Sequence, residues 1–355
     1  MKYYICMEED RIWYVRGRFK RCPGSGSHRR LEIVEWEFVE PVPDVVSALT
    51  RLAEKHGMEG KRVNLIVGRD VKMMGFTIPK AGKNAMKRMA VNEMSLLDAG
   101  FGNHAVALDL RAKAGRTKAA VTAYYMEQRS LDAYKKALED GKMICGRVLV
   151  LPDCMALMAR ELWREERVLL LDVSQGGMGF YVLSGGHCLA CRMTGLKAGC
   201  FLREEALDML CEEMAEQVEG LIQDCRTEAD IPVPDCMVIM TSCIPDAGAA
   251  AEYMSERFKI PCCVRMPEPV DATCLAVCVA GSLEGKKKAL ELEELGYGDG
   301  ENSVLGHGPF MTRGRALFLL ANGLAAAGLS LHAACLNHRA GKELARTEYA
   351  MEGAE

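Results

Sequence analysis

The residues of this chain whose types and spacing best suit chemistry lie in Arg167–Gly199, RVLLLDVSQGGMGFYVLSGGHCLACRMTGLKAG. The apolar run Val168–Leu171 reads as a buried strand that carries Asp172 to its end, ahead of Ser174 and the pair Gly176-Gly177. A second strand, Gly179–Leu183, runs to a Gly185-Gly186 hairpin turn, and a third follows over His187–Met193. Gly176 and Gly177 carry no Cβ, so their backbone N–H groups can approach an anion closely. The third strand holds His187-Cys188-Leu189-Ala190-Cys191, a CxxC behind a histidine. On a regular strand Cys188 and Cys191 point to opposite faces, and no second CxxC supplies further ligands, so buried reduced thiols are expected and no metal.

Other reactive-looking groups read as packing. Cys262-Cys263 fits a strand better than a vicinal disulfide, and Cys154 and Cys243 lack a nearby histidine that would mark a nucleophile. Gly24-Ser25-Gly26 lacks the Lys-Ser/Thr and the following helix of a P-loop. Met73, Met74, Met86, Met89 and Met94 fall mostly at core spacing, although a methionine-lined groove would also suit a peptide.

Composition narrows the class. The chain has 355 residues, 49% of them hydrophobic, enough for two domains with their own cores. A net charge of −4 with both signs interspersed, and one lysine triplet at Lys286–Lys288, gives no basic stripe for nucleic acid. Sixteen cysteines in a long chain, behind an N-terminus with no secretory apolar region, imply a reducing cytoplasm. Ala316–Leu336 is long enough to span a bilayer, but Asn322, Ser330 and His332 and its many alanines favour a buried C-terminal helix.

The elements that must position these residues follow from periodicity. A hairpin (Tyr3–Met7, Ile12–Arg16) crosses Glu8-Glu9-Asp10 and is followed by a strand over Leu31–Phe38. A helix capped by Asp44 runs to His56 with Gly57 as its stop. Strands Arg62–Gly68 and Val71–Ile78, helix Ala85–Leu97, strands His104–Leu110 and Lys118–Tyr125, and helix Ser130–Gly141 come next. Strand Gly146–Leu151 and helix Asp153–Arg164 close the first half. The second half adds a long helix near Phe201–Cys225, strand Cys236–Thr241, helix Ala247–Phe258, strand Cys262–Met266 and a helix near Thr273–Leu283. Each half opens on a strand-rich set and continues with helix and strand, which is a duplicated α/β architecture with mixed sheets.

In this order of segments the chain resembles the actin-like proteins of type IV pilus assembly, the PilM group, and more distantly GspL and FtsA. The residues that carry the resemblance are VKMMGFTIPKAGKNAMKRMAVNEMSLL with Glu93, the course of Val106–Ala159, VIMTSCIPDAGAAAEYMSERFKIPCCV, and Gly323-Leu324-Ala325 in a closing helix. It implies an actin-like (ribonuclease H-like) duplicated fold. Domain I would span residues 1–164 with an inserted subdomain around 70–145, domain II 165–311, a C-terminal helix 312–336, and a flexible tail 337–355.

The resemblance also implies remnant nucleotide loops. Asp172, which manages a metal or its water in such enzymes, is retained, with Ser174 at a glycine position and Gly176 and Gly177 beside it. Ser242 and Cys243 stand where the adenosine loop has glycines, and Lys197-Ala198 where a Gly-Gly is usual. In the first loop Cys6 replaces the Asp, Glu8 the Gly and Trp13 a basic residue. The expectation is therefore no catalytic residue, no required ATP or Mg, and no ATP hydrolysis. The protein would be a cytoplasmic scaffold, held at the inner membrane face by the N-terminal tail of a PilN-like single-span protein and coupled to pilus motor ATPase components. The alternative is a divergent ATP-binding ATPase or kinase of the same superfamily.

Overall fold

The computed structural model describes residues 1–294 except 9–10, 22–28, 40–43, 69, 98–100, 112–116, 164–166, 175–176, 195–206, 229–230, 232, 242, 245, 266–271 and 283–288. Residues 1–295 form one compact unit. The expected C-terminal helix 312–336, the tail 337–355 and the boundary at 164/165 lie outside the described residues.

Three strands open the chain: β1 (Lys2–Glu8), β2 (Arg11–Arg21) and β3 (Arg29–Val39), joined by antiparallel pairing. Helix α1 (Val45–His56) starts at the cap the sequence predicts, with the Asp44 carboxylate accepting from Val46 N at 2.9 Å. It stops at Gly57, whose φ of 62° is the left-handed conformation that a Cβ disfavours. Strand β4 (Arg62–Val67) then pairs parallel with β1. An inserted unit follows: β5 (Lys72–Pro79), α2 (Lys83–Leu97), β6 (His104–Arg111) and β7 (Lys118–Glu127). Helix α3 (Gln128–Asp140) begins directly where β7 ends, so Ser130 lies inside the helix instead of capping it. Its stop also differs from expectation, because Lys142 takes the left-handed turn (φ 62°) while Gly141 does not. Gly141 sits in a tight place, where a Cβ would stand 3.0 Å from Leu49 Cβ.

Strand β8 (Ile144–Val150) runs without a loop into α4 (Leu151–Trp163). The second half comprises β9 (Arg167–Ser174), β10 (Gly177–Ser184), β11 (His187–Thr194), α5 (Leu207–Glu228), β12 (Cys236–Thr241), α6 (Ala247–Phe258), β13 (Cys262–Arg265), α7 (Ala272–Ser282) and β14 (Glu293–Glu294).

The two main sheets share one plan. The first has the order β3-β2-β1-β4-β8 and the second β11-β10-β9-β12-β13. In each, three antiparallel strands are followed by two parallel ones. The inserted sheet, β14-β6-β7-β5, is antiparallel.

Burial on both faces explains the apolar run in β9. Val168 and Leu170 join the core shared with the first sheet, while Leu169, Leu171 and Val173 join the core under α5 and α6. Helix α4 lies between the two sheets, touching β8, β10 and β11, and every residue from Leu151 to Ala159 is buried. Helix α7 packs against α4, β2, β3 and β9. Ala272–Ser282 thus returns the chain from the second sheet to the first. The chain then straps the open side of β8: Leu292 N donates to Val148 O at 3.0 Å and Leu290 N to the buried Asp153 carboxylate at 2.8 Å, before β14 joins β6.

Candidate functional site

The start of β2, the end of β9 and the start of β10 meet in a cleft between the two main sheets. Alternation along β9 sends Asp172 to the same face as Val168 and Leu170, toward α7. There Asp172 is buried, and its carboxylate accepts from the Thr273 hydroxyl at the start of α7, at 3.4 Å. Ser174 ends β9 and donates from its hydroxyl to Gly177 O at 3.3 Å. Trp13, Leu151, Gly179, Tyr181, Met193 and Thr194 complete much of the lining.

The structure thus brings together three of the expected site residues, Asp172, Ser174 and Gly177, and places Cys243 beside them but outside the lining. The Cys243 thiol donates to Val173 O at 3.4 Å, and Thr241 Oγ1 accepts from the N–H groups of Cys243 (3.1 Å) and Ile244 (3.2 Å). That turn is held by its own strand end, as a threonine turn commonly is. Gly176, Ser242 and Lys197-Ala198-Gly199 lie outside the described residues. Glu93 is on α2, half-buried, and is not part of the lining.

Sequence reasoning missed Arg11. Its side chain is only 3% exposed, and Nη1 lies 2.7 Å from where a Cβ on Gly177 would be. Arg11 thus brings a basic group to the side of Gly177 from the start of β2. The one available signal was a lone arginine closing the acidic turn Glu8-Glu9-Asp10. Trp13 lines the cleft, Arg11 stands against Gly177 beside it, and the space between the described residues is about 20 Å³. By that measure it holds roughly one water, whereas cofactor pockets run to several hundred Å³. Among the described residues, no group of three His, Cys, Asp or Glu stands close enough to share a metal.

A second cavity, of about 330 Å³, opens where the inserted sheet joins α3. It is lined by Asp70, Lys72, His104, Met126, Glu127, Arg129 and Ser130, a mixed-charge rim around one methionine. The Tyr134 hydroxyl donates to Asp70, and Arg129 Nε pairs with Glu127 at 2.5 Å. His104 is buried, with Nδ1 3.0 Å from Phe101 O and its ring stacked on Phe101. That bond needs the proton on Nδ1 and leaves Nε2 as the acceptor of the neutral ring.

Two sheets of order 3-2-1-4-5, facing each other across shared helices, define a duplicated actin-like fold. Among solved structures, the chain is similar to a chain of a PilM–PilN type IV pilus biogenesis complex. The TM-score is 0.60 at 13% identity, over 81% of this chain and 98% of that one. It is also similar to the cytoplasmic domain of EpsL, an inner-membrane component of the type II secretion system of Vibrio cholerae (TM-score 0.44, 13% identity, 79% and 94% covered). A third is a Bacteroides thetaiotaomicron protein of actin-like ATPase fold (TM-score 0.42, 8% identity, 78% and 95% covered). At these identities the likeness is one of fold, and it rests on the first. No protein-family model matches the chain, and no curated protein matches it in sequence. Among the described residues no helix is long and apolar enough to cross a membrane.

Proposed function

We propose that this protein is an actin-like scaffold of a type IV pilus or type II secretion-like assembly machine, working at the inner face of the membrane without hydrolysing ATP. The observation that carries the reading is the fold shared with a chain of the PilM–PilN complex across nearly all of that chain's length. Supporting it, Trp13 lines the cleft and Arg11 packs against Gly177 beside it, which leaves about 20 Å³ between the described residues. The occupant of the mixed-charge cavity beside α3 is the N-terminal tail of a PilN-like inner-membrane protein. A charged rim there suits a polar peptide, Met126 can adapt to an apolar side chain, and Arg129 and Lys72 can pair with acidic residues.

Fluorescence anisotropy with a labelled PilN N-terminal peptide tests this. Saturable binding is expected with no nucleotide added, weakened about tenfold by Arg129→Glu, a change of roughly 1.4 kcal/mol. Binding that ignores Arg129→Glu would move the tail to another surface, and no binding at all would remove the partner.

A second reading, a divergent ATP-binding member of the superfamily, is favoured by one feature: Asp172 faces the cleft from the end of β9. It requires Arg11 to swing out and predicts nucleotide-dependent stabilisation that Asp172→Ala abolishes.

A further inference from the structure

The CxxC of β11 does not lie as a regular strand would place it. Val182 of β10 pairs with Ala190, and the next residue, Leu183, pairs with Cys188, so Leu189 is an extra residue in the ladder. This bulge restores Cys188 and Cys191 to one face. Both join the core shared with the first sheet, while Leu189 and Ala190 turn to the other face. The Cys188 thiol donates to Ala190 O at 3.3 Å. A third sulfur comes from the inserted sheet, where Met73 Sδ of β5 lies 3.9 Å from Cys191 Sγ.

Two cysteines on one face of a strand, one of them 3.9 Å from a thioether, offer the parts of a coordination set. Ligands about 2.3 Å from a metal in a trigonal plane stand about 4 Å from one another, and two thiols with a thioether select soft cations over zinc or hard ions. The surroundings support the ligands. The Tyr124 hydroxyl, fully buried, donates to Cys188 O at 3.5 Å and fixes the backbone that carries the first ligand. Cys191 and Met73 are partly exposed, which gives an ion a way in, whereas Cys188 is fully buried.

We propose that Cys188, Cys191 and Met73 form a binding site for a soft monovalent cation, copper(I), that pins β11 of the second sheet to β5 of the inserted sheet. Binding replaces two S–H bonds by two metal–thiolate bonds and adds the thioether, and two protons leave to solvent. No change of oxidation state is involved. The His187 ring, 2.6 Å from the Asp109 carboxylate of β6, ties the same two sheets a few residues away, so the ion would reinforce a contact already built.

The test is an anaerobic competition of the reduced full-length protein with the copper(I) chelator bicinchoninate, read as copper withdrawn from the coloured complex. The wild type is expected to withdraw one equivalent that Cys191→Ser loses. Met73→Leu should keep the stoichiometry with about tenfold weaker affinity, in the range that loss of a supporting group costs metal sites. Because Cys191 and Met73 are partly exposed, both variants should fold, and circular dichroism of each checks this. Equal withdrawal by wild type and Cys191→Ser would place any copper on other cysteines and overturn the site. A pair that closes to a disulfide under peroxide but takes no copper would overturn it equally, in favour of a redox dithiol.

Discussion

Leu157→Ala is expected to lower the unfolding free energy by about 2–5 kcal/mol, the range for emptying a close-packed site. Leu157 is fully buried in α4, the helix that lies between the two main sheets. A cavity there cannot be filled by movement of one sheet alone, because the same core cluster contains Tyr14 and Leu65 of the first sheet and Leu170 and Tyr181 of the second. The loss should be felt by both halves at once. All three tryptophans (Trp13, Trp36 and Trp163) lie in the first half, so their fluorescence reports that half while far-ultraviolet circular dichroism reports the whole chain. Urea unfolding followed by both probes should give coincident transitions in wild type and variant. Separate transitions would mean that the two sheets do not share a core.

Gly177→Val should cost at least about 2 kcal/mol, and its origin can be separated into two parts. The φ of +152° at Gly177 is one that side-chain-bearing residues rarely adopt, a strain of about 1–3 kcal/mol. The new Cβ would also meet Arg11 Nη1 at 2.7 Å and Thr194 O at 3.2 Å. The guanidinium is the far end of a long side chain, but at 3% exposure it has little room to retreat. Pairing Gly177→Val with Arg11→Ala isolates the contact. The double variant should be more stable than the sum of single effects predicts, by about 0.5–3 kcal/mol, as expected for groups in contact. Strict additivity would mean that Arg11 does not pack against Gly177.

Much of the fold is legible in the sequence because it is local. The Asp44 cap, the Gly57 stop, the continuous apolar run of β9 and the Gly185-Gly186 hairpin follow from backbone geometry and burial over a few residues. What escapes is decided at a distance. The helix near Thr273 is readable as a helix, but only its packing on β2, β3 and α4 shows that it returns to the first sheet. Strand β14 is two residues long and exists because β6 offers an edge. The bulge at Leu189 shifts the alternation by one residue, so the rule that sends Cys188 and Cys191 apart fails there for a reason no local pattern reveals.

The candidate site divides in the same way. Asp172, Ser174 and Gly177 are readable because a strand end followed by small residues is a local signal. Arg11 is not, since its neighbours in sequence are carboxylates and its neighbours in space belong to the second hairpin. The cavity beside α3 gathers residues from β4–β5, β6, β7 and α3, and no single stretch of sequence announces it.

The central claim is that the cleft is closed by the chain itself and the fold stands without nucleotide. A thermal unfolding scan of the purified protein, with and without millimolar Mg-ATP or Mg-ADP, tests it most directly. A ligand at a hundred times its dissociation constant adds about 2.7 kcal/mol, a shift of several degrees that such a scan resolves easily. The account predicts superimposable scans for wild type and for Asp172→Ala with nucleotide present. A clear upward shift in wild type, lost in Asp172→Ala, would contradict it and make the protein a nucleotide-binding member of the actin-like superfamily.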